Sequence, residues 1–156
     1  MTEKIRIVRL DFQSGKYELH QMADEIFGVE TACFFDAWTT DMIVSSLEQA
    51  VNQVFLAWNQ EMICGYLIAN FVADETELLR VAVLPDMQNL GIGQLLLDAY
   101  VNYAGQTCTR GLLEVRHGNA AAKHLYEKNG YQLFATRKNY YKNPLEDADM
   151  YEIVFH

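Results

Sequence analysis

The sequence predicts a single domain of mixed α/β or α+β class, and three observations lead to this prediction. The chain has 156 residues, within the range of about 100–200 residues that is usual for one domain. No internal repeat, low-complexity tract or flexible linker divides the sequence, so we expect one domain over residues 1–156. Apolar residues alternate with polar ones in some segments and follow a helical period in others, with the clearest change at Pro85.

The segments before Pro85 predict a strand, two helices and three further strands. Ile5–Leu10 alternates apolar residues with arginines, which is typical of a strand. Residues 16–30 carry apolar residues at helical spacing, and Thr39 is one of the residues that offer an N-cap for a second helix through Leu47. Three runs rich in β-branched and aromatic residues follow, the first two as a hairpin: Gln53–Trp58, Met62–Val72 and Thr76–Leu84.

The segments after Pro85 predict two helices among further strands. Apolar residues recur at helical spacing over residues 91–104. Asn119–Asn129 begins with a residue suited to an N-cap and is followed by Gly130, which suits the position after a helix. The remaining segments have strand patterns: Gly111–Arg116, Tyr131–Arg137 and Asp149–Phe155. The helices after the fourth and fifth strands are therefore expected to be crossover connections.

The charge balance restricts the kinds of partner. The chain has 12 Lys and Arg residues against 21 Asp and Glu residues, a formal net charge of −9. An acidic protein lacks the positive surface of a general nucleic-acid binder and the polybasic face that anionic membranes attract, so we expect neither partner. No apolar run approaches the roughly 20 residues of a membrane span, and the first residues contain no apolar signal region. We therefore expect a cytoplasmic protein.

The cysteines and histidines do not form a recognisable metal or disulfide pattern. Cys33, Cys64 and Cys108 are far apart in the sequence and form no CxxC pair, which fits reduced thiols. The histidines lack metal-ligand spacing, so we expect no metal cofactor. A cysteine nucleophile is not expected either, because neither Cys64 nor Cys108 has an apparent histidine partner.

A glycine-containing loop between a predicted strand and a predicted helix could hold a ligand. It has the pattern Gln-x-x-Gly-x-Gly, formed by Gln88, Gly91 and Gly93. The start of a helix presents unpaired backbone N–H groups and a positive dipole, and glycines allow a phosphate to approach closely. The loop lacks the lysine of a P-loop and the third glycine of a dinucleotide fold. Taken alone, the pattern fits either a pyrophosphate site or a flexible turn.

Two residues of the next strand and helix could exchange protons with a substrate. Glu114 lies between Leu113 and Val115 in a strand that we expect to be largely buried, where a carboxylate could act as a general base. It could also point to solvent at the end of the strand. Tyr126 lies two helical turns after Asn119 and so shares its face, but alone it would be interpreted as a core aromatic.

Together these two elements resemble the GNAT superfamily of N-acetyltransferases. The acyl-CoA loop of that superfamily has the pattern Arg/Gln-x-x-Gly-x-Gly/Ala, which Gln88, Gly91 and Gly93 match. Further segments are similar to the bacterial RimI-type group, which acetylates the N-terminal alanine of a small-subunit ribosomal protein: residues 113–131, 137–141, 146–150 and 34–39. In the last of these segments Ala37 stands where proline is usual.

The resemblance implies a fold, a cosubstrate and the residues that bind it. The fold would be a mostly antiparallel sheet of about six to seven strands flanked by about four helices. The cosubstrate would be acetyl-CoA, with Val81, Ala82 and Val83 beside its pantetheine arm and Asn119 as a hydrogen-bond partner. Its pyrophosphate would accept hydrogen bonds from the backbone N–H groups of Asn89, Leu90, Gly91, Ile92, Gly93 and Gln94.

The resemblance also implies roles for the two candidate proton carriers. Glu114 would match the proton acceptor and Tyr126 the proton donor. We predict that a primary amine attacks the acetyl thioester directly, with a backbone N–H near Val83 stabilising the oxyanion. The expected acceptor is the N-terminal amine of a basic ribosomal protein. Tyr140 and Tyr141 could line the entrance for that peptide or simply pack on the sheet.

Two departures and two other functions remain open. Asn89 stands where the RimI-type group often has a basic residue, and His117-Gly118 stands where Ala-Ser is usual. The acceptor could instead be a polyamine, an amino acid, an antibiotic or a protein lysine. A non-catalytic acyl-CoA-binding module would need the glycine loop but not both Glu114 and Tyr126.

Overall fold

The computed structural model of the protein describes residues 4–10 and 19–156, in which four α-helices surround one sheet. The strands are β1 (Ile5–Arg9), β2 (Asn52–Asn59), β3 (Met62–Val72), β4 (Glu75–Val83), β5 (Arg110–Arg116), β6 (Gln132–Tyr141) and β7 (Glu146–Val154). The helices are α1 (Leu19–Cys33), α2 (Thr40–Glu48), α3 (Ile92–Ala104) and α4 (Ala120–Lys128). A 3-10 turn at Pro85–Met87 follows β4.

The sheet has the strand order β1-β2-β3-β4-β5-β7-β6 and is parallel only between β4 and β5. The crossover through α3 makes this parallel pair possible. The helix after β5 does not produce a second parallel pair, because β7 lies between β5 and β6. The predicted α+β class, with a mostly antiparallel sheet and four helices, is confirmed. Within residues 4–10 and 19–156, the helices are too short or too polar to cross a lipid bilayer.

The helices cover both faces of the sheet. On one face, α1 and α2 bury Ile26 and Ile43 against β2 and β3. On the other face, α3 and α4 bury side chains such as Leu96, Tyr100 and Tyr126 against β3, β4 and β5. Burial of these apolar side chains on both faces supplies the main driving force that holds the helices in place.

Local sequence signals set the starts and ends of the helices. The Thr39 hydroxyl accepts a hydrogen bond from the Met42 N–H at 3.2 Å, and Asn119 Oδ1 accepts one from the Ala122 N–H at 3.2 Å. These two caps begin α2 and α4. Gly130 follows α4 with a φ of 99°, in the left-handed region that glycine tolerates best. All three positions were expected from the sequence.

Some element boundaries differ from the predicted ones. The first helix was expected at residues 16–30, but it extends to Cys33, and residues 16–18 lie outside the described residues. β6 was expected to end at Arg137, but it continues to Tyr141 through a bulge. Asn139 adopts a left-handed φ of 53° in that bulge, and its N–H donates to Asp147 Oδ1 at 2.8 Å. β7 correspondingly begins earlier than expected, at Glu146.

The site is positioned by an incomplete pairing of β4 with β5. The two strands pair from Glu75 opposite Arg110 to Leu78 opposite Leu113, and in the described part of the chain the pairing stops there. A register shift between β3 and β4 falls at the same level of the sheet. The rest of β4, residues 79–83, and the end of β5, residues 114–116, therefore form the two sides of an opening in the sheet.

Candidate active site

A groove of about 370 Å³ lies along the unpaired end of β4, between the first turns of α3 and α4. Most of the residues predicted to bind acetyl-CoA line it: Val81, Ala82, Val83, Asn89, Gly91, Ile92, Gly93 and Asn119. Side chains at the end of α1 form the opposite wall, among them Cys33 and Phe34. The structure thus brings together three segments that are separated in the sequence by α2, β2 and β3 on one side and by α3 and β5 on the other.

The unpaired edge of β4 presents backbone groups to this groove. The Leu84 N–H donates to the Cys64 carbonyl of β3 at 2.8 Å, so the N–H and C=O of Val83 point to the opposite side. The Val83 carbonyl accepts hydrogen bonds from Gln88 Nε2 at 3.0 Å and from the Cys33 thiol at 3.1 Å. By the alternation of a strand, the N–H and C=O of Val81 point the same way. An extended ligand could therefore pair with β4 as an added strand would.

The loop before α3 has the backbone geometry of an anion site. Asn89 and Gly91 have positive φ values of 64° and 84°, and α3 begins directly after Gly91. The N–H groups of the first helical turn have no acceptor within the helix, and the helix dipole favours a negative charge there. A Cβ atom on Gly93 would lie 3.6 Å from Leu125 Cδ2, which is an ordinary contact. Protein packing therefore leaves room for alanine at this position, which the superfamily pattern also admits.

Two of the residues predicted to bind acetyl-CoA, Leu90 and Gln94, lie outside the lining of the groove. Leu90 is half-exposed beside it, so only its backbone could take part. Gln94 uses its side chain to hold the two helices together, because it exchanges hydrogen bonds with Asn129 at 2.6 and 3.0 Å. Asn119 lines the groove, but its Oδ1 is committed to the cap of α4. The predicted ligand contacts of these residues stay predictions.

Glu114 lies on the other side of the opening, on β5. Its neighbours Leu113 and Val115 are buried under α3 and α4, whereas the Glu114 side chain points to the opposite face of the sheet and is 20% exposed. Arg137 Nη1 of β6 is 3.8 Å from Glu114 Oε1. The Glu114 charge and a hydrogen bond to it raise the pKa of the exposed Tyr140 hydroxyl. The carboxylate thus faces an aromatic and basic part of β6.

A second carboxylate shares this face of the sheet. Glu77 of β4 lies beside Leu112 in the parallel register, two residues from Glu114 along β5. Burial and then the negative charge of Glu114 raise the pKa of Glu77. No sequence motif includes Glu77, and only the pairing of β4 with β5 brings it to the site.

Tyr126 is buried on the α4 side of the sheet, where its ring contacts that of Tyr131 at a centroid distance of 5.8 Å. Burial, with a smaller contribution from Tyr141, raises the pKa of its hydroxyl well above the ordinary value. Burial and then Glu114 raise the pKa of Tyr141 to about 12. Tyr141 is therefore electrostatically coupled to both Glu114 and Tyr126. At neutral pH the Tyr126 phenol keeps its proton, as a proton donor must.

The turn at His117-Gly118 contacts β7 through the buried carboxylate of Asp149. Asp149 Oδ2 contacts Lys123 Nζ at 2.7 Å and His117 Nδ1 at 2.9 Å, and its Oδ1 accepts from the Thr136 hydroxyl at 3.1 Å. Burial alone would raise the pKa of Asp149, but these hydrogen bonds outweigh it and lower the pKa. His117 has a structural partner here, and among the described residues no three His, Cys, Asp or Glu side chains are grouped as metal ligands.

Comparison with known proteins agrees with this geometry. The family model for the acetyltransferase (GNAT) family matches residues 19–131, which is most of the chain. The chain belongs to this family. The predicted resemblance is confirmed, and the protein is an acetyltransferase of the GNAT fold, which uses acetyl-CoA.

Relatives and solved structures place the chain near one group of GNAT enzymes. It is 31% identical over 122 residues to the [ribosomal protein bS18]-alanine N-acetyltransferase of Haemophilus influenzae, covering 78% of this chain and 82% of that protein. The crystal structure of the ribosomal-protein-S18-alanine N-acetyltransferase from Escherichia coli matches with a TM-score of 0.85 and 25% identity, over 97% of this chain and 94% of the other. A GNAT family acetyltransferase from Elizabethkingia anophelis with acetyl-CoA bound shares the fold, with a TM-score of 0.76, 19% identity, and 99% and 100% coverage.

Sequence reasoning missed three residues of this GNAT site. Cys33 and Phe34 line the groove from the end of α1, and Glu77 approaches Glu114 from β4. Phe34 belongs to segment 34–39, whose resemblance to the RimI-type group could have directed attention to it and to the preceding Cys33. Glu77 carries no local signal, since its position depends on the sheet register.

Proposed function

We propose that this GNAT enzyme transfers the acetyl group of acetyl-CoA to the N-terminal α-amino group of alanine in ribosomal protein bS18. The observation that carries the proposal is the opening between β4 and β5, with a cosubstrate groove on one side and Glu114 on the other. The relatives named as bS18-alanine N-acetyltransferases support the choice of acceptor. We further propose that the protein is cytoplasmic, where a ribosomal substrate would be found. We also propose that residues 1–156 form one domain and that it acts without a nucleic-acid or membrane partner.

Acetyl-CoA supplies an activated acetyl thioester, and the chain supplies the groups that hold it. Val81 and Val83 offer backbone hydrogen bonds to an extended arm, and the N–H groups at the start of α3 face the pyrophosphate. The Nδ2 group of Asn119 adds a donor from α4. Near the reacting carbon, the Val83 N–H stabilises negative charge that develops on the carbonyl oxygen.

The acceptor amine must lose a proton to become a nucleophile. An α-amino group has an ordinary pKa of about 7.7–8.0, against about 10.4 for lysine, so a far larger share of N-terminal amines is neutral at pH 7. Glu114 accepts the proton that the attacking amine gives up, directly or through a water molecule. Tyr126 donates its proton to the departing thiolate. A weak base such as a carboxylate is therefore enough to deprotonate an N-terminal amine, but it is much less effective with a lysine amine.

A panel of acceptors tests the proposed function. Free-thiol release from acetyl-CoA is measured with a peptide that carries the bS18 N-terminus, with the same peptide acetylated at its N-terminus, and with small polyamines. We expect thiol release with the first peptide only, and mass spectrometry should place the new acetyl group on the α-amine. Release with the blocked peptide would identify a lysine acetyltransferase, and release with polyamines alone would identify a small-molecule enzyme. Either result would refute the proposal.

A further inference from the structure

A buried ion pair joins α1 to β4 beside the groove. Glu30 of α1 is fully buried, and Arg80 of β4 contacts both of its carboxylate oxygens, through Nε at 2.7 Å and Nη2 at 2.9 Å. The Tyr66 hydroxyl of β3 also donates to Glu30. A two-point contact of this kind fixes the direction of the guanidinium plane as well as its position.

The same ion pair holds the connection between α1 and α2. The Trp38 N–H donates to Glu30 Oε2 at 2.9 Å. The Arg80 guanidinium carbon lies 3.9 Å from the ring centroid of Phe34 and 4.9 Å from that of Trp38. We call residues 34–39 the aromatic loop. It is attached to Glu30 of α1 by the hydrogen bond from the Trp38 N–H and to Arg80 of β4 by the two cation–π contacts.

The aromatic loop begins at the groove, next to Val83. Phe34 and the preceding Cys33 line the groove, and the Cys33 thiol donates to the carbonyl of Val83 at 3.1 Å. Arg80 precedes Val83 on the same strand. A displacement of the loop would therefore move the wall of the groove that faces the Val83 backbone.

Burial of two charges is costly, and apolar residues of similar volume often stabilise a fold as well as an ion pair does. A buried pair is therefore best explained by the geometry that it fixes. We infer that Glu30 and Arg80 are positioning residues that hold the aromatic loop beside Val83 and so shape the entrance for the acceptor amine. The kinetic part of this inference rests on the proposed function.

The variant Arg80→Lys tests the inference because it keeps the charge but loses the planar, two-point contact and much of the stacking. The Michaelis constant for the acceptor peptide should rise about tenfold, since small displacements at a reacting centre have large effects. The dissociation constant for acetyl-CoA should rise less than this Michaelis constant, because Phe34 and Cys33 line only one wall of the groove and the loop before α3 is untouched. Arg110→Lys is the matched control: Arg110 contacts Glu152 at 2.9 Å, lies over the Phe134 ring, and begins β5 at the end where β4 and β5 remain paired, away from the opening. It should change neither constant.

The three cysteines provide a second measurement that needs no acceptor. Cys33 is partly exposed, whereas Cys64 and Cys108 are buried. Native protein is treated with iodoacetamide, and mass spectrometry follows each cysteine separately. In Arg80→Lys, Cys33 should react about tenfold faster while Cys64 and Cys108 keep their rates, as expected for a local opening.

The possible outcomes separate this inference from the proposed function. In a folded variant, unchanged alkylation of Cys33 or faster alkylation of all three cysteines would overturn the positioning role, the second because the opening would not be local. A wild-type protein that does not acetylate the peptide would refute the proposed function and leave the Cys33 test valid. If thermal unfolding shows that Arg80→Lys is not folded, the charge-free double variant Glu30→Gln with Arg80→Gln replaces it, with the same expected rates.

Discussion

The two sides of the opening between β4 and β5 are built in different ways. The donor side consists of the end of β4, the loop before α3 and the first turn of α3, and it offers mainly backbone N–H and C=O groups. The acceptor side consists of β5 and β6 and offers side chains, chiefly Glu114, Arg137 and Tyr140. A site made from backbone depends on local conformation, whereas a site made from side chains depends on the register of distant strands.

The largest effect is expected on the acceptor side, from Glu114→Gln. Turnover with the peptide should fall about 100-fold at pH 7, a usual contribution of a general base. At pH values well above the amine pKa of about 8 the deficit should shrink, because the acceptor is already neutral. The measurement is a pH–rate profile of the variant and the wild type. The dissociation constant for acetyl-CoA should not change.

Glu152→Gln provides the control for this variant, because Glu152 is a partly exposed carboxylate of the same sheet that contacts Arg110 instead. It should keep wild-type turnover. If Glu114→Gln turned over the peptide at the wild-type rate at pH 7, the amine would lose its proton without Glu114. The side chains of the acceptor side would then differ from the backbone groups of the donor side in structure but would not contribute a base to the reaction.

The same difference explains what could be predicted from the sequence. The strand-loop-helix pattern around Gln88, Gly91 and Gly93 predicted a helix start, and α3 begins directly after Gly91, whereas the acetyl-CoA role of this loop was implied only by the family resemblance. The approach of Glu77 to Glu114 requires the parallel pairing of β4 and β5, which no local pattern encodes. The late end of β6 was missed for a similar reason, since the bulge at Asn139 is closed by a carboxylate from β7.

Tyr126→Phe should have the next largest effect, because Tyr126 is the proposed proton donor to the departing thiolate. Turnover should fall roughly 30-fold, which is less than a general acid often contributes, because a thiolate needs less help to leave than an alkoxide. In the described part of the chain its hydroxyl has no hydrogen-bond partner, so the melting temperature should change little. Stopped-flow turnover together with acetyl-CoA titration would check this. A large loss of acetyl-CoA binding would show that Tyr126 has a structural role instead.

Gly93→Ala tests the donor side and should change stability and binding in opposite directions. A Cβ at this position meets only an ordinary contact with Leu125, and alanine favours a helix over glycine by up to about 1 kcal/mol. The protein should therefore become slightly more stable. Acetyl-CoA affinity should nevertheless fall about fourfold: the superfamily pattern admits alanine here, but the methyl group narrows the space for the pyrophosphate. Calorimetric titration and thermal unfolding measure the two effects.

The matched control for this variant is Gly28→Ala in α1, where a Cβ would meet no atom within 4 Å. It should raise stability by a similar amount and leave acetyl-CoA binding unchanged. Equal affinities for Gly93→Ala and the wild type would mean that the pyrophosphate does not lie against the first turn of α3. The glycine loop would then be only a turn between β4 and α3.

The smallest effect is expected from salt, and it tests whether charge as well as geometry separates the two sides. The net charge of −9 attracts a cationic peptide, and the acceptor side adds Glu77 and Glu114, whereas residues 88–94 of the donor side include no acidic residue. Raising the ionic strength to about 0.15 M should lower kcat/KM for a basic peptide about two- to threefold through screening. A peptide of the same length with neutral residues after its first alanine should show a much smaller change. Equal salt dependence for both peptides would mean that the acidic surface does not steer the acceptor, and that orientation depends on contacts within the opening alone.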